Sequence, residues 1–152
     1  MRTNNQAIGR LLKVASNQMV REVDAFAAQF HLTGQQMLIL DFLGNALETQ
    51  DAAVLTAPSA VSQTMIEQEF NIRRSTTTEI LQRMEKRALI IRHPSPTDAR
   101  QKFVQLTDLG RQYLPEIKTF TQEHSQRVLA NLSDEEVRAV IKFLNNFNKQ
   151  KA

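Results

Sequence analysis

The sequence predicts a mainly α-helical fold with one small β-hairpin, and three observations carry that expectation. Apolar residues recur at helical spacing in six successive stretches. Four of these open on start signals: T-x-x-Q at 33–36, Ser62, Thr107, and S-x-x-E at 133–136. One segment breaks the pattern. Residues 89–106 hold two short β-prone runs around the turn-rich loop H-P-S-P-T-D-A-R.

Residues 5–30 read as one long helix, with Ile8, Leu11, Leu12, Ala15, Met19, Val23, Phe26 and Phe30 at helical spacing. A helix this long outruns the core of a small protein, so part of its stripe needs a second chain to cover it. Thr33 with Gln36 makes a capping box, and Leu32 with Met37 has the spacing of a hydrophobic staple. A second helix follows to about Asn45. Residues 45–61 read as an irregular connection, with a brief strand near Val54 and Leu55. Its length marks it as mobile or contact-making.

Ser62 caps a short helix, with Val61 and Ile66 placed as a staple and Met65, Ile66 and Phe70 facing inward. Asn71 is a turn residue that tolerates left-handed backbone. The next helix starts at 73–75 and turns Thr77, Ile80, Leu81, Met84 and Ala88 inward. Short helix, tight turn and second helix make a helix-turn-helix unit. Leu89 to Arg92 and Lys102 to Leu106 pair as a hairpin, a wing beside that unit. Thr107 caps a helix that extends to about Ala130 and bends at Pro115. Ser133 with Glu136 is another capping box, and Val137, Val140, Ile141, Leu144 and Phe147 stripe the last helix. The expected organisation is one domain over residues 1–152. A winged helix-turn-helix lobe at 33–106 is flanked by helices at 5–30 and 110–149 that make a dimer layer.

The chain has 152 residues, 41% hydrophobic and 23% charged, which suits a globular domain with its own core. It has no cysteine, which excludes disulfides, a thiolate zinc site and a thiol switch. Neither a secretory h-region nor a membrane-length apolar run appears, so a soluble, cytoplasmic protein without a membrane partner is expected. Net charge is only +3, but its distribution is uneven. Residues 71–111 hold nine Lys/Arg and four acids, a difference of +5, which leaves −2 for the remainder. A local excess of this kind is the footprint of a polyanion partner. His31, His93 and His124 are the only histidines and show no H-x3-H spacing. They read as isolated surface groups, so no metal is expected. No acid/base pair or nucleophile motif appears, hence no catalytic residue and no cofactor.

With Thr77, Ile80, Leu81 and Met84 turned inward, Arg73, Arg74, Ser75, Thr76, Thr78, Glu79 and Gln82 fall on or near the outer face. The major groove of double-stranded DNA admits such a helix, and side chains near its N-terminus read base edges. Arg holds guanine through two bonds, Gln82 suits adenine, and Glu79 suits the amino group of cytosine. Ser75, Thr76 and Thr78 suit phosphates or bases. In the wing, Arg100 is placed for the adjacent minor groove, with Asp98 as a bidentate partner for its guanidinium. Arg92, His93 and Lys102 are placed for phosphates. The competing expectation is a winged-helix module that binds a protein and has no operator of its own.

Four blocks resemble the MarR family of winged-helix transcription regulators: L-T-G-Q-Q-M-L-I-L (32–40), R-S-T-T-T-E-I-L-Q-R-M-E-K-R-A-L-I-I-R (74–92), D-A-R-Q-K-F-V-Q-L-T-D-L-G-R (98–111) and L-S-D-E-E-V (132–137). The resemblance implies a homodimer that binds a pseudo-palindromic operator and acts as a repressor. It also implies release by a small, often aromatic or anionic effector in the cleft between lobe and dimer layer. Met19, Phe26, Phe42, Tyr113 and Ile117 are the expected lining of that cleft. On this resemblance Arg74, Ser75, Thr76 and Thr78 are DNA contacts, and Asp98 with Arg100 is the wing pair. The chain departs from the family pattern at several points. Ala88 stands at a frequent glycine, Glu79 at a frequent basic residue, Arg73 at a small capping residue and Glu67 at a small residue. The 45–61 connection is longer than usual.

Overall fold

The computed structural model describes residues 7–48 and 61–149. The element order is α1 (Ile8–Ala27), a 3-10 turn (Ala28–Phe30), α2 (Gly34–Glu48), α3 (Gln63–Phe70), α4 (Arg74–Lys86), β1 (Ile90–Pro94), β2 (Lys102–Leu106), α5 (Asp108–Arg111), α6 (Leu114–Leu129) and α7 (Asp134–Lys149). This is the mainly α fold with one hairpin that the periodicity predicts.

The start signals behave as their chemistry requires. Thr33 N–H donates to Gln36 Oε1 at 3.0 Å, and Gln36 N–H donates to Thr33 Oγ1 at 3.1 Å. Ser62 Oγ accepts from Met65 N–H at 3.2 Å. Ser133 and Glu136 repeat the reciprocal pair at 2.9 and 3.2 Å. The Ser133 backbone N–H, and after it the Ser133 hydroxyl, hold the Glu136 carboxyl below its usual range. Both staples are buried: Leu32 with Met37, and Val61 with Ile66. His31 and Asn71 take left-handed backbone after the 3-10 turn and after α3.

The core gathers Val23 and Ala27 of α1, Met37, Ile39 and Leu40 of α2, Ile66 of α3, Leu81 and Met84 of α4, Ile90 and Val104 of the hairpin, and Ile117 of α6. Each fully buried Leu, Ile or Met contributes about 1.5–3 kcal/mol. Arg87, just past α4, donates to the carbonyls of Phe30 and His31 and so ties the end of α4 to the end of the first helix. Asp24 Oδ1 accepts Gly34 N–H at 2.6 Å and fixes where α2 leaves α1.

Five expectations need correction. Residues 45–48 continue α2 because Ala46 and Leu47 still pack on the core. The rest of that connection, with the strand expected at Val54 and Leu55, lies outside the described residues. Met65 is 43% exposed: Ile66 and Phe70, four apart, form the inner edge of an eight-residue helix, and Met65 falls on its flank. Ala88 lies beyond α4, exposed and at φ 58°, as the turn into β1 and not as a core residue. The helix expected from 107 to 130 is two helices. Pro115 lacks the N–H that would continue α5, and it is accepted in the first turn of α6 instead. His124 is 5% exposed, not a surface group, and its Nε2 lies 2.9 Å from Glu22 Oε2. That bond is the largest of the causes that lower the Glu22 carboxyl.

The two outer helices carry uncovered apolar faces. No residue of α7 is buried, and Val140, Ile141, Phe143, Leu144 and Phe147 are 39–52% exposed. On α1, Ile8, Leu11, Val14 and Val20 are 49–59% exposed. Among the described residues, no helix is long and apolar enough to cross a membrane.

Candidate nucleic-acid interface

The site is built on α4, whose inner face fixes the outer one. Thr77, Leu81 and Met84 are fully buried, and Ile80 packs at their edge. Thr77 Oγ1 donates to the Arg73 carbonyl at 2.9 Å, which satisfies the hydroxyl that the inner face of α4 takes into the core. Arg73, Arg74, Ser75, Thr76, Glu79 and Gln82 are left exposed. Arg73 occupies the N-cap with no side-chain cap bond. Without a capping side chain, the amides of the first turn are open to an anion.

Thr78 is the exception on that face. Its hydroxyl donates to the Arg74 carbonyl at 2.9 Å and accepts from Gln63 Nε2 at 2.8 Å. Its proton is therefore committed within the protein. Gln63 is buried on α3, and the bond sets how α3 and α4 cross. Nothing in the local pattern flagged Gln63, because the pairing spans 15 residues and depends on the helix crossing.

The hairpin pairs in register, Arg92 opposite Val104 and Pro94 opposite Lys102. Val104 N–H points away from β1, to the Val61 carbonyl at 2.9 Å, and Ser62 bridges to Phe103. The stretch 61–62 thus flanks β2 and covers its outer edge. Pro94 ends β1 at a position whose amide the ladder does not use. Thr107 N–H donates to the Leu89 carbonyl at 3.1 Å, and Thr107 Oγ1 donates to the Ala88 carbonyl. These two bonds lash the base of the wing to the start of α5.

Between α4 and the wing lies a cleft of about 250 Å³ whose lining includes Arg74, Gln82, Arg92, Arg100 and Lys102. Glu67 of α3 also lines it, half-buried, as the single acid among these cations. The charge excess seen along the chain is therefore gathered in space.

Two of the expected contacts take another form. Asp98 Oδ1 accepts the backbone N–H of Arg100 at 3.0 Å and makes no ion pair with its guanidinium. Two residues apart, the carboxylate reaches that amide as an Asx turn, and the guanidinium stays free to point outward. Arg92 is also not free for phosphate. Its Nε lies 3.3 Å from Glu85 Oε2, and its side chain is only 10% exposed.

Of the residues expected around an effector, Phe26 lines a cavity, and Phe30 links it to Tyr113 through ring contacts at 5.5 Å on either side. Phe26 stacks on Phe120 with ring centroids 4.1 Å apart and lines a cavity of about 350 Å³ with Pro115, Glu116, Thr119 and Glu123. Tyr113 packs edge-on to Phe30, and Phe42 edge-on to Phe70. Ile117 is wholly buried, and Met19 is 41% exposed. Among the described residues, no cluster of three metal-ligating side chains occurs.

Comparisons with known proteins fall on one family. The MarR family model matches residues 31–101. A helix-turn-helix-type transcriptional regulator of Bacillus subtilis, YdgJ, is 32% identical over 96 residues; the match covers 60% of this chain and 58% of that protein. The chain thus spans just under three-fifths of the length of that curated relative. The crystal structure of the transcription regulator MarR from Oenococcus oeni is 36% identical, covers 94% of this chain and 99% of its own, and superposes with a TM-score of 0.77. The S. aureus MepR–DNA complex shares the fold at 24% identity, with 91% of this chain and 94% of that chain covered and a TM-score of 0.75.

Proposed function

Since the chain belongs to the MarR family of transcription regulators, we propose that it is a homodimeric, sequence-specific reader of double-stranded DNA in the cytoplasm. It represses transcription until a small effector releases it. The observation that carries this proposal is the cleft between α4 and the wing. Arg74, Arg100 and Lys102 converge there beside an uncapped helix N-terminus, on a face whose opposite side is locked in the core.

In this mechanism α4 enters the major groove. Arg73, Arg74, Ser75, Thr76 and Gln82 meet phosphates and base edges, and Glu79 selects against bases that offer no donor. Thr78 contributes by holding the helix crossing. Arg100, freed from Asp98, reaches the neighbouring minor groove, where it reads groove width and not base identity. Lys102 lies beside it for phosphate. S. aureus MepR, which shares this fold, was solved in complex with DNA, which is in keeping with DNA as the partner.

A second copy covers the apolar faces of α1 and α7. Exposed apolar surface of that extent marks an association site, and a two-fold pair places the same helices against each other. The two lobes then read half-sites one helical turn, about 34 Å, or a multiple apart.

We place the effector in the cavity at Phe26 and Phe120. Its aromatic pair suits a ring, and Glu116 with Glu123 suits a cationic group on that ring. An anionic effector would meet two carboxylates.

The test is a titration of a genome-selected duplex with the wild type, Arg74→Ala and Arg100→Ala. Each loss of a well-placed contact is expected to weaken binding by about 1–3 kcal/mol. Unchanged affinity in both variants would remove the cleft from the interface. Enrichment of one protein partner and of no DNA would favour the protein-binding module instead.

A further inference from the structure

We propose that Glu85 is a positioning and specificity-determining residue of the DNA interface: its carboxylate holds Arg92 off the phosphate backbone and fixes the first wing strand against the last turn of α4. The inference rests on the DNA-reading function proposed above and names how that site limits indiscriminate binding.

The geometry follows from the hairpin register. Arg92 faces Val104, and Val104 N–H points outward to Val61. Antiparallel partners orient their amides alike, so Arg92 N–H also points away from the ladder, toward α4. A bare amide on that edge needs an acceptor. Glu85 Oε2 supplies it at 3.0 Å, and the same oxygen takes Arg92 Nε at 3.3 Å. One carboxylate oxygen therefore fixes both the strand and its side chain.

Arg92 differs from its neighbours in the cleft. Arg74, Arg100 and Lys102 are exposed, whereas the Arg92 side chain is 10% exposed. Arg92 also lines a second cleft with Glu79, Gln82, Arg83, Glu85 and Lys86, and it shares with Gln82 the wall between the two. With Glu85 as counter-ion, Arg92 adds little to the positive field of the site. Released, it becomes a fourth cation beside Arg74, Arg100 and Lys102, able to meet any phosphate whatever the sequence. The wing would also lose one of its ties to α4, and with it the fixed offset between major-groove and minor-groove contacts. Both changes raise indiscriminate binding relative to specific binding.

The experiment uses the full chain and measures affinity against salt, on a random-sequence duplex and on a genome-selected one. Glu85→Gln is expected to bind the random duplex several-fold more tightly. Its slope of log K against log salt should steepen by about 0.9, the increment for one added phosphate contact. The ratio of specific to random affinity should fall several-fold. Adding Arg92→Gln to Glu85→Gln should return the slope to the wild-type value. Arg92→Gln alone should leave the slope unchanged, which keeps the inference testable if Glu85→Gln does not fold. A slope unchanged in Glu85→Gln, or flattened by about 0.9 in Arg92→Gln alone, overturns the inference while the DNA-reading function stands. A wild type with no salt-dependent binding to either duplex overturns both.

Discussion

Replacing Gly110 by Ala should loosen the base of the wing. Gly110 is buried in α5, directly under the strand entry at Leu89. A Cβ there would lie 2.2 Å from the Leu89 carbonyl oxygen and 3.2 Å from its carbon, inside the 3.4 Å at which ordinary contact begins. The obstacle is backbone and cannot rotate aside. That same carbonyl accepts Thr107 N–H at 3.1 Å, and Thr107 Oγ1 accepts Gly110 N–H at 3.0 Å. Moving α5 away relieves the clash and stretches both bonds. Overpacking costs about 1–3 kcal/mol, and the partial weakening of the two hydrogen bonds adds about 1 kcal/mol between them. A total of about 2–4 kcal/mol should lower Tm by roughly 4–16 °C for a domain of this size. Thermal unfolding followed by circular dichroism at fixed protein concentration measures it. A Tm within a degree of wild type would refute the claim that α5 is pressed onto Leu89.

Ala88→Gly should act in the opposite direction. Ala88 sits at φ 58°, where an L-residue carries about 1–2 kcal/mol of strain; after glycine's own entropy cost the net gain is about 0.5–1 kcal/mol, and a lower Tm would contradict it. Asp41 has its carboxyl raised above the usual range, first by burial and then by Glu48, against the pull of Lys118. A raised folded pKa means that the ionised group opposes folding above that pKa, so Asp41→Asn should stabilise at pH 7 and lose the advantage near pH 3; equal effects at both pH values would exclude the burial cause. At the Phe26 cavity, phenyltrimethylammonium should bind more tightly than benzoate by calorimetry, and Phe26→Ala should abolish that binding; preference for benzoate would contradict the charge assigned to the site.

Much of the fold was legible because its signals are local. A capping box needs two residues three apart, and T-x-x-Q and S-x-x-E form the expected reciprocal bonds. The inner face of α4 follows from period alone. Misassigned residues depend on what lies across the fold. Ala88 keeps the helical spacing but falls two residues past the helix end, where backbone angle and not period decides its place. His124 carries no local mark of burial, since its partner Glu22 is 102 residues away. In the sequence Arg92 reads as a free cation because Glu85 belongs to another element, and only the hairpin register turns its amide toward that acid. The spacing of Asp98 and Arg100 suggests a side-chain pair, but the Asp98 carboxylate takes the Arg100 backbone N–H instead and leaves the guanidinium outward.

The most direct test of the account is the mass and salt dependence of the complex with duplex DNA. Sedimentation of the wild type with a genome-selected duplex should give two chains per site. Affinity for that duplex should fall linearly on logarithmic axes as salt rises, and Arg74→Ala should flatten the slope by about 0.9. A monomer that shows no salt-dependent binding to any duplex would contradict both the dimer and the DNA reader.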